Sequence, residues 1–203
     1  SEASDYQVEM HAESIDDGKR LVVDTKISSV NQQGKIVFHY GAQLILARQR
    51  MTSPEVQLAI PTSPESAQTL YSNGTLFHGP SLQGINEILE CNDQGLLLRC
   101  QVPVIAAEKQ GDFPLSNSGE QSNIFANDIA YQAMLVWAKK ELGLGSLPSS
   151  TQSWTVYREV ILDECFYLQL TVVKSSVKGK QRGALTTDIQ LISNNNEVSR
   201  EIK

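Results

Sequence analysis

Histidine and cysteine are scarce, at three each in a chain of 203 residues. Cys91, Cys100 and Cys165 are odd in number, sit in apolar strand-like runs and have no metal-ligand spacing. They read as buried free thiols of a reducing compartment, so the expected location is cytoplasmic and no metal site is expected. No apolar run reaches the ~18 residues of a membrane-spanning helix. The first residues, Ser1-Glu2-Ala3-Ser4-Asp5, lack the basic and apolar regions of a signal peptide. Positive charge is also in deficit, with 17 Lys and Arg against 23 Asp and Glu and a net charge of −6. That balance argues against nucleic acid as the main partner. What remains fits one globular domain, or one and a half small ones.

The first 48 residues read as three strands, Tyr6 to Glu13, Leu21 to Val30 and Lys35 to Ala47. The connectors Asp16-Asp17-Gly18 and Asn31-Gln32-Gln33-Gly34 carry hairpin chemistry, with glycine near the end of each. Such a meander has an apolar face and nothing of its own to place on it. Residues 51–70 hold Pro54, Pro61 and Pro64 among Ser, Thr and Glu, the composition of a connector, and the main boundary is placed there. From residue 71 a second unit runs to residue 203. Its strands are Ile85 to Cys91, Gly95 to Val104, Trp154 to Val160, Cys165 to Lys174 and Ala184 to Ser193, and a polar loop, Ala107 to Asn123, precedes a helix.

That helix, about residues 127–142, organises the rest. Asn127 reads as its N-cap, Asp128 as a first-turn acid, Lys139 and Lys140 as last-turn bases, and Gly143 as its stop. Ile129, Ala133 and Val136 form one stripe, Ala130, Met134 and Trp137 a second, and Tyr131, Leu135 and Leu142 a third. A helix apolar on every side is buried on every side. Two strands, one buried helix and three strands are satisfied together by an antiparallel sheet wrapped around the helix. This is an α+β, hot-dog architecture, with strands of a first, incomplete hot-dog at residues 1–50.

Two polar side chains interrupt the apolar helix. Asp128 and Gln132 are four apart and share a face. A carboxyl group with an amide beside it, enclosed in an apolar channel, is a candidate for acid–base chemistry. The same spacing also describes a helix-start carboxylate and a solvated amide, the more ordinary arrangement.

The segment Leu76-Phe77-His78-Gly79-Pro80-Ser81-Leu82-Gln83-Gly84-Ile85 resembles the Tyr-Gly-Pro-x-Phe-Gln-Gly opening of the second hot-dog in polyketide synthase dehydratase domains. Asp128-Ile129-Ala130-Tyr131-Gln132 resembles the Asp-x-x-x-Gln motif of that family's second helix, and Gly145-Ser146-Leu147-Pro148 also fits. The sequence is similar in tone to the polyunsaturated fatty acid synthases of bacteria. The likeness covers about residues 71–193, and it makes residues 6–48 the last strands of a first hot-dog. Two departures stand out in the motif: His78 replaces an aromatic residue before Gly-Pro, and Leu82 replaces a phenylalanine. A third bears on chemistry. The family's base is the histidine of His-x-x-x-Gly-x-x-x-x-Pro, and none of His11, His39 and His78 lies in that pattern.

The resemblance implies elimination of water from a 3-hydroxyacyl thioester on an acyl carrier protein within a multidomain synthase. Asp128 would protonate the departing hydroxyl, and Gln132 would hydrogen-bond Asp128 or that hydroxyl. His78, Gly79, Pro80 and Gln83 would line the substrate side. His78 also reads as a loop residue with a local hydrogen bond. No bound cofactor is implied, because the phosphopantetheine arm arrives on the carrier. The expected partners are that carrier and neighbouring synthase domains; a homodimer is left open. The basic hairpin with Lys174, Lys178, Lys180 and Arg182 reads as a carrier-docking surface or a solvated turn. A second function class is a hot-dog that binds acyl chains or holds the synthase together without catalysis. A third is a hot-dog thioesterase.

Overall fold

The computed structural model describes residues 5–16, 18–104, 124–177 and 183–203. The polar loop from Ala107 to Asn123 lies outside the described residues, as do Lys178, Lys180 and Arg182 of the basic hairpin. The chain divides into two compact units, Ser1–Met51 and Thr52–Lys203.

The first unit is an antiparallel meander of β1 (Tyr6–Ile15), β2 (Arg20–Val30) and β3 (Ile36–Ala47), with β2 in the middle. Its turns follow from the local chemistry. Asn31 Oδ1 accepts the amides of Gln33 and Lys35, each at 3.0 Å, and Gly34 supplies the positive φ of 73° that closes the loop. A register shift in the β2–β3 pairing falls between Ile27 and Ser28. Nearby, His39 Nε2 meets Ser29 Oγ at 2.7 Å.

The second unit contains a seven-stranded sheet. In chain order its strands are β4 (Glu65–Ser66), β5 (Ile85–Asn92), β6 (Gly95–Gln101), β7 (Trp154–Val156), β8 (Cys165–Ser175), β9 (Leu185–Ser193) and β10 (Val198–Ile202). The spatial order is β4-β5-β6-β8-β9-β10-β7, and every neighbouring pair is antiparallel. A short helix α1 (Gln68–Ser72) precedes β5, and the long helix α2 (Ile124–Leu142) stands between β6 and β7 in sequence. Alternation puts Leu96, Leu98 and Cys100 of β6, Phe166, Leu168 and Leu170 of β8, and Ile189 and Leu191 of β9 into one core with Ile129, Ala130, Ala133, Val136 and Trp137 of α2.

Four features differ from the sequence reading. Helix α2 begins at Ile124, so Asn127 is not its N-cap and Asp128 stands beyond the first turn. The reason is burial: Ala126 is wholly inside the core, with Phe125 packed against it, and this carries the helix past a residue pair that looks like a start signal. The sheet has two strands that the pattern did not reveal, β4 and β10. In β10 an arginine, Arg200, occupies a buried position and obscures the alternation. The connector folds with the second unit: Val198 N–H donates to the Pro54 carbonyl at 2.8 Å, Val56 N–H donates to the Asn196 carbonyl at 2.9 Å, and β4 pairs with β5. Of the three thiols, all free, only Cys100 is fully buried, while Cys91 and Cys165 are half-buried.

The helix is held at its C-terminal end. Trp137 Nε1–H donates to the Asn92 carbonyl at the β5–β6 turn (2.9 Å), and Lys140 pairs with Glu65 at 2.8 Å. Gly143 takes φ 66°, and the helix stops there as its sequence predicts. Its first half therefore lies toward the open end of the β5–β6 hairpin, beside the segment that leads into β5.

Candidate functional site

The segment before β5 is built by the Gly-Pro sequence. Gly79 caps a 3-10 turn over Pro80–Leu82, and Leu82 N–H donates to the Gly79 carbonyl at 2.9 Å. Gln83 Nε2 donates to the His78 carbonyl at 3.0 Å, so this amide braces the turn. Gly84 follows where α2 comes closest: a Cβ there would collide with Ile129 Cδ1 and stand 2.8 Å from the Gln101 carbonyl oxygen. Only glycine lets the helix approach so near. The turn thereby points the Leu82 carbonyl and the His78 ring at α2.

Asp128 and Gln132 meet them. Gln132 is completely buried, and its Nε2 donates to Asp128 Oδ2 and to the Leu82 carbonyl, each at 2.7 Å. Its Oε1 accepts the hydroxyl proton of Tyr71 at 2.9 Å, and that hydroxyl accepts the Ile85 N–H at 3.1 Å. Burial pushes the Tyr71 phenol up to about 12, so it remains a donor at neutral pH. His78 Nε2 is 3.6 Å from Asp128 Oδ2. The Phe77 ring stacks on the His78 ring, with centroids 4.5 Å apart. His78 Nδ1 is buried and has no hydrogen-bond partner among the described residues.

The sequence-predicted residues thus come together in part. Asp128, Gln132 and His78 form one cluster, while Gly79, Pro80 and Gln83 shape the turn that delivers His78 and are themselves exposed. Asp128 is not enclosed as expected, because 33% of its side chain is accessible, against 10% for His78. The reason is its place along the helix: it lies one turn nearer the start of α2 than Gln132, which shares its face and is fully buried. A cleft of about 400 Å³, lined by residues that include Leu58, Glu90, Leu97 and Gln169, shares no residue with the Asp128 cluster. Among the described residues, no group of His, Cys, Asp and Glu is placed to hold a metal ion, and no helix is long and apolar enough to cross a membrane.

Two groups near the site escaped the sequence. Tyr71 reaches Gln132 from 61 positions away. Arg200 on β10 is fully buried, pairs with Glu159 at 2.6 Å and donates to the Asn127 side chain, beside Asp128. Burial lowers the Arg200 pKa, and the Glu159 carboxylate opposes that shift. The only sequence signal for either was a polar residue at an apolar position of its element.

The architecture has known counterparts. A trans-AT polyketide synthase dehydratase domain from Brevibacillus brevis superposes with a TM-score of 0.62 at 18% identity, covering 97% of this chain and 66% of that one. This is the fold of a polyketide synthase dehydratase domain. The dehydratase domain from the CurH module of the curacin polyketide synthase gives a TM-score of 0.62 at 18% identity, over 100% of this chain and 69% of that one. The dehydratase domain of the polyketide synthase PpsC from Mycobacterium tuberculosis gives 0.60 at 16% identity, over 98% and 66%. In sequence, the chain is related to a polyunsaturated fatty acid synthase polypeptide of Thraustochytrium sp. (strain ATCC 26185 / S-3), at 31% identity over 155 residues. That match spans 75% of this chain and 5% of the relative. No family model matches the chain. The hot-dog reading, a helix packed against a curled antiparallel sheet, is therefore the observed dehydratase-domain fold.

Proposed function

We propose that the chain works in a polyketide or polyunsaturated fatty acid synthase as the second hot-dog of a dehydratase domain, with strands of the first, and eliminates water from a 3-hydroxyacyl thioester on an acyl carrier protein. The observation that carries the reading is the cluster of Asp128, Gln132 and His78 where the Gly-Pro turn meets α2. Asp128 Oδ2 accepts from Gln132 at 2.7 Å, which leaves Oδ1 to hold the proton that the departing hydroxyl receives. The accessible third of the Asp128 side chain is where that hydroxyl would arrive. His78 Nε2, 3.6 Å from Asp128 Oδ2, is the ring nitrogen beside that place.

In balance, a base takes the α-proton, the Cα–Cβ double bond forms as the β-hydroxyl departs, and the Asp128 proton completes the water. The α-proton needs a group outside the histidines of this chain, because none of them lies in the base motif. That same fact favours one alternative, a hot-dog that binds an acyl chain without catalysis.

The test is Asp128→Asn in the intact synthase, with enoyl product and free acid measured from a 3-hydroxyacyl carrier. Loss of enoyl formation by about 10²–10⁴-fold is the expected result. Undiminished turnover would remove Asp128 as the acid. An unmodified synthase that binds the acyl carrier without forming enoyl product would favour the binding module, and release of free acid would favour a thioesterase.

A further inference from the structure

The hydrogen bonds around Gln132 leave no freedom in how its amide is turned. The Tyr71 hydroxyl has one proton. It accepts the Ile85 N–H at 3.1 Å and donates that proton to Gln132 Oε1, 2.9 Å away. The atom facing it must then be an acceptor, which places the carbonyl oxygen of the amide toward Tyr71 and its NH₂ toward the helix start. The two N–H bonds of that NH₂ both find acceptors, the Leu82 carbonyl and Asp128 Oδ2, each at 2.7 Å. Gln132 therefore has no donor left for a substrate hydroxyl, and it is fully buried as well. Of the two actions the sequence allowed for Gln132, only the hydrogen bond to Asp128 is available.

We propose that Tyr71 is a positioning residue: it anchors the Gln132 amide whose N–H occupies one oxygen of Asp128 and leaves the other to face the reacting hydroxyl. The inference rests on the reading of Asp128 as the acid, but its structural half stands without it. Oδ2 receives the amide N–H permanently, so a proton carried by Asp128 resides on Oδ1. If the amide turned over, its carbonyl oxygen would face Asp128 Oδ2 and the Leu82 carbonyl. Three acceptors would then crowd together without a donor, so the Leu82 carbonyl and Asp128 set the orientation that the Tyr71 hydroxyl completes from the other side. A phenylalanine in its place keeps the ring and the packing but leaves the buried amide oxygen of Gln132 without its donor among the described residues.

Two measurements test this. In the full 203-residue chain, nuclear Overhauser contacts from the Gln132 side-chain NH₂ should run to Asp128 and Leu82 and not to the Tyr71 ring. Tyr71→Phe should weaken and broaden those contacts, because the amide oxygen loses its anchor, while circular dichroism shows the chain still folded. Contacts from the NH₂ to the Tyr71 ring in the unmodified chain would overturn the proposal without need of any variant. In the intact synthase, Tyr71→Phe should lower kcat about tenfold with KM little changed. Tyr71→Phe combined with Gln132→Ala should be no slower than Gln132→Ala alone, because both act through one amide. Losses that multiply independently would mean Tyr71 does not act through Gln132. If Asp128→Asn keeps full activity while the amide contacts are as stated, the dehydratase reading fails and the positioning of the amide survives.

Discussion

Arg200 and Glu159 form an ion pair, 2.6 Å between Nη2 and Oε2, with the guanidinium wholly removed from solvent and the carboxylate nearly so. The same arginine donates to Asn127 on α2, so one buried charge ties β10, the segment after β7 and the helix together just beside Asp128. A charge this deep is retained only because a carboxylate faces it; the attraction and the loss of hydration nearly cancel, whereas removing one partner exposes the full cost of burial. Glu159→Ala is expected to lower the unfolding free energy by about 3–5 kcal/mol. A urea titration of the purified chain checks this. A loss below about 1 kcal/mol, the value of a surface pair, would mean the guanidinium has another sufficient partner.

A second prediction concerns Gly84, at the point where the turn and helix α2 nearly touch. A methyl group added there collides with Ile129 and stands 2.8 Å from the backbone oxygen of Gln101. The backbone oxygen belongs to Gln101, whose residue pairs with Cys165 and whose N–H bonds the Gly84 carbonyl at 2.9 Å, so it cannot swing aside as a side chain does. The helix must then move outward. Overpacking of this kind costs about 1–3 kcal/mol, and here it also lengthens the contacts of Gln132 with Leu82. Gly84→Ala should therefore lower the melting temperature and broaden the Gln132 amide resonances together. An unchanged melting temperature would show that the helix seats elsewhere than described.

Much of this was readable before any coordinates. Leu168 and Leu170 alternate as an inward strand face should, and both lie in the core. Asp128 and Gln132 were found by helical spacing, and His78 by its place before Gly79-Pro80. Other parts were hidden for physical reasons. The start of α2 was misplaced because Asn127 and Asp128 have the chemistry of a helix cap. Tertiary burial of Ala126 and the engagement of Asn127 by Arg200 overrule that local signal. β10 was hidden because an arginine in a strand normally marks the solvent face. The contact of Tyr71 with Gln132 depends on how the chain folds back over 61 positions, which no local pattern encodes.

Alkaline pH should weaken the second unit before neutral chemistry does. Burial, followed by the hydrogen bond and charge of Glu141, raises the Cys91 thiol from 9.0 to about 12. Burial raises the Tyr71 phenol from 10.0 to about 12, and it raises the enclosed Cys100 thiol also. Each folded-state value lies above the unfolded one. The folded chain thus holds protons that the unfolded chain releases, so the stabilisation is complete below the unfolded values and disappears as pH climbs through the folded ones. Stability should be level up to about pH 9 and fall between about pH 9 and 12. Denaturant midpoints across that range check the trend, and Cys91→Ser should make the decline shallower. The same elevation makes Cys91 a poor nucleophile, so thiol reagents at pH 8 should label it slowly, and faster in Glu141→Gln.

The first unit leads to a prediction of a different kind. Met10, Ile36, Phe38 and Tyr40 are all strongly exposed on the three-stranded meander, along with Val8, Ile45 and Leu46. Long strands with bare apolar side chains are unusual on a soluble surface, where apolar patches are small and scattered. The 203-residue chain should therefore bind a hydrophobic dye strongly. Most of that signal should come from residues 5–47 and be lost in the double variant Met10→Lys, Phe38→Lys. Neither change touches the core around α2, so far-ultraviolet circular dichroism and the contacts of Gln132 should be unaltered. Dye binding that persists undiminished in the double variant would place the apolar surface elsewhere in the chain.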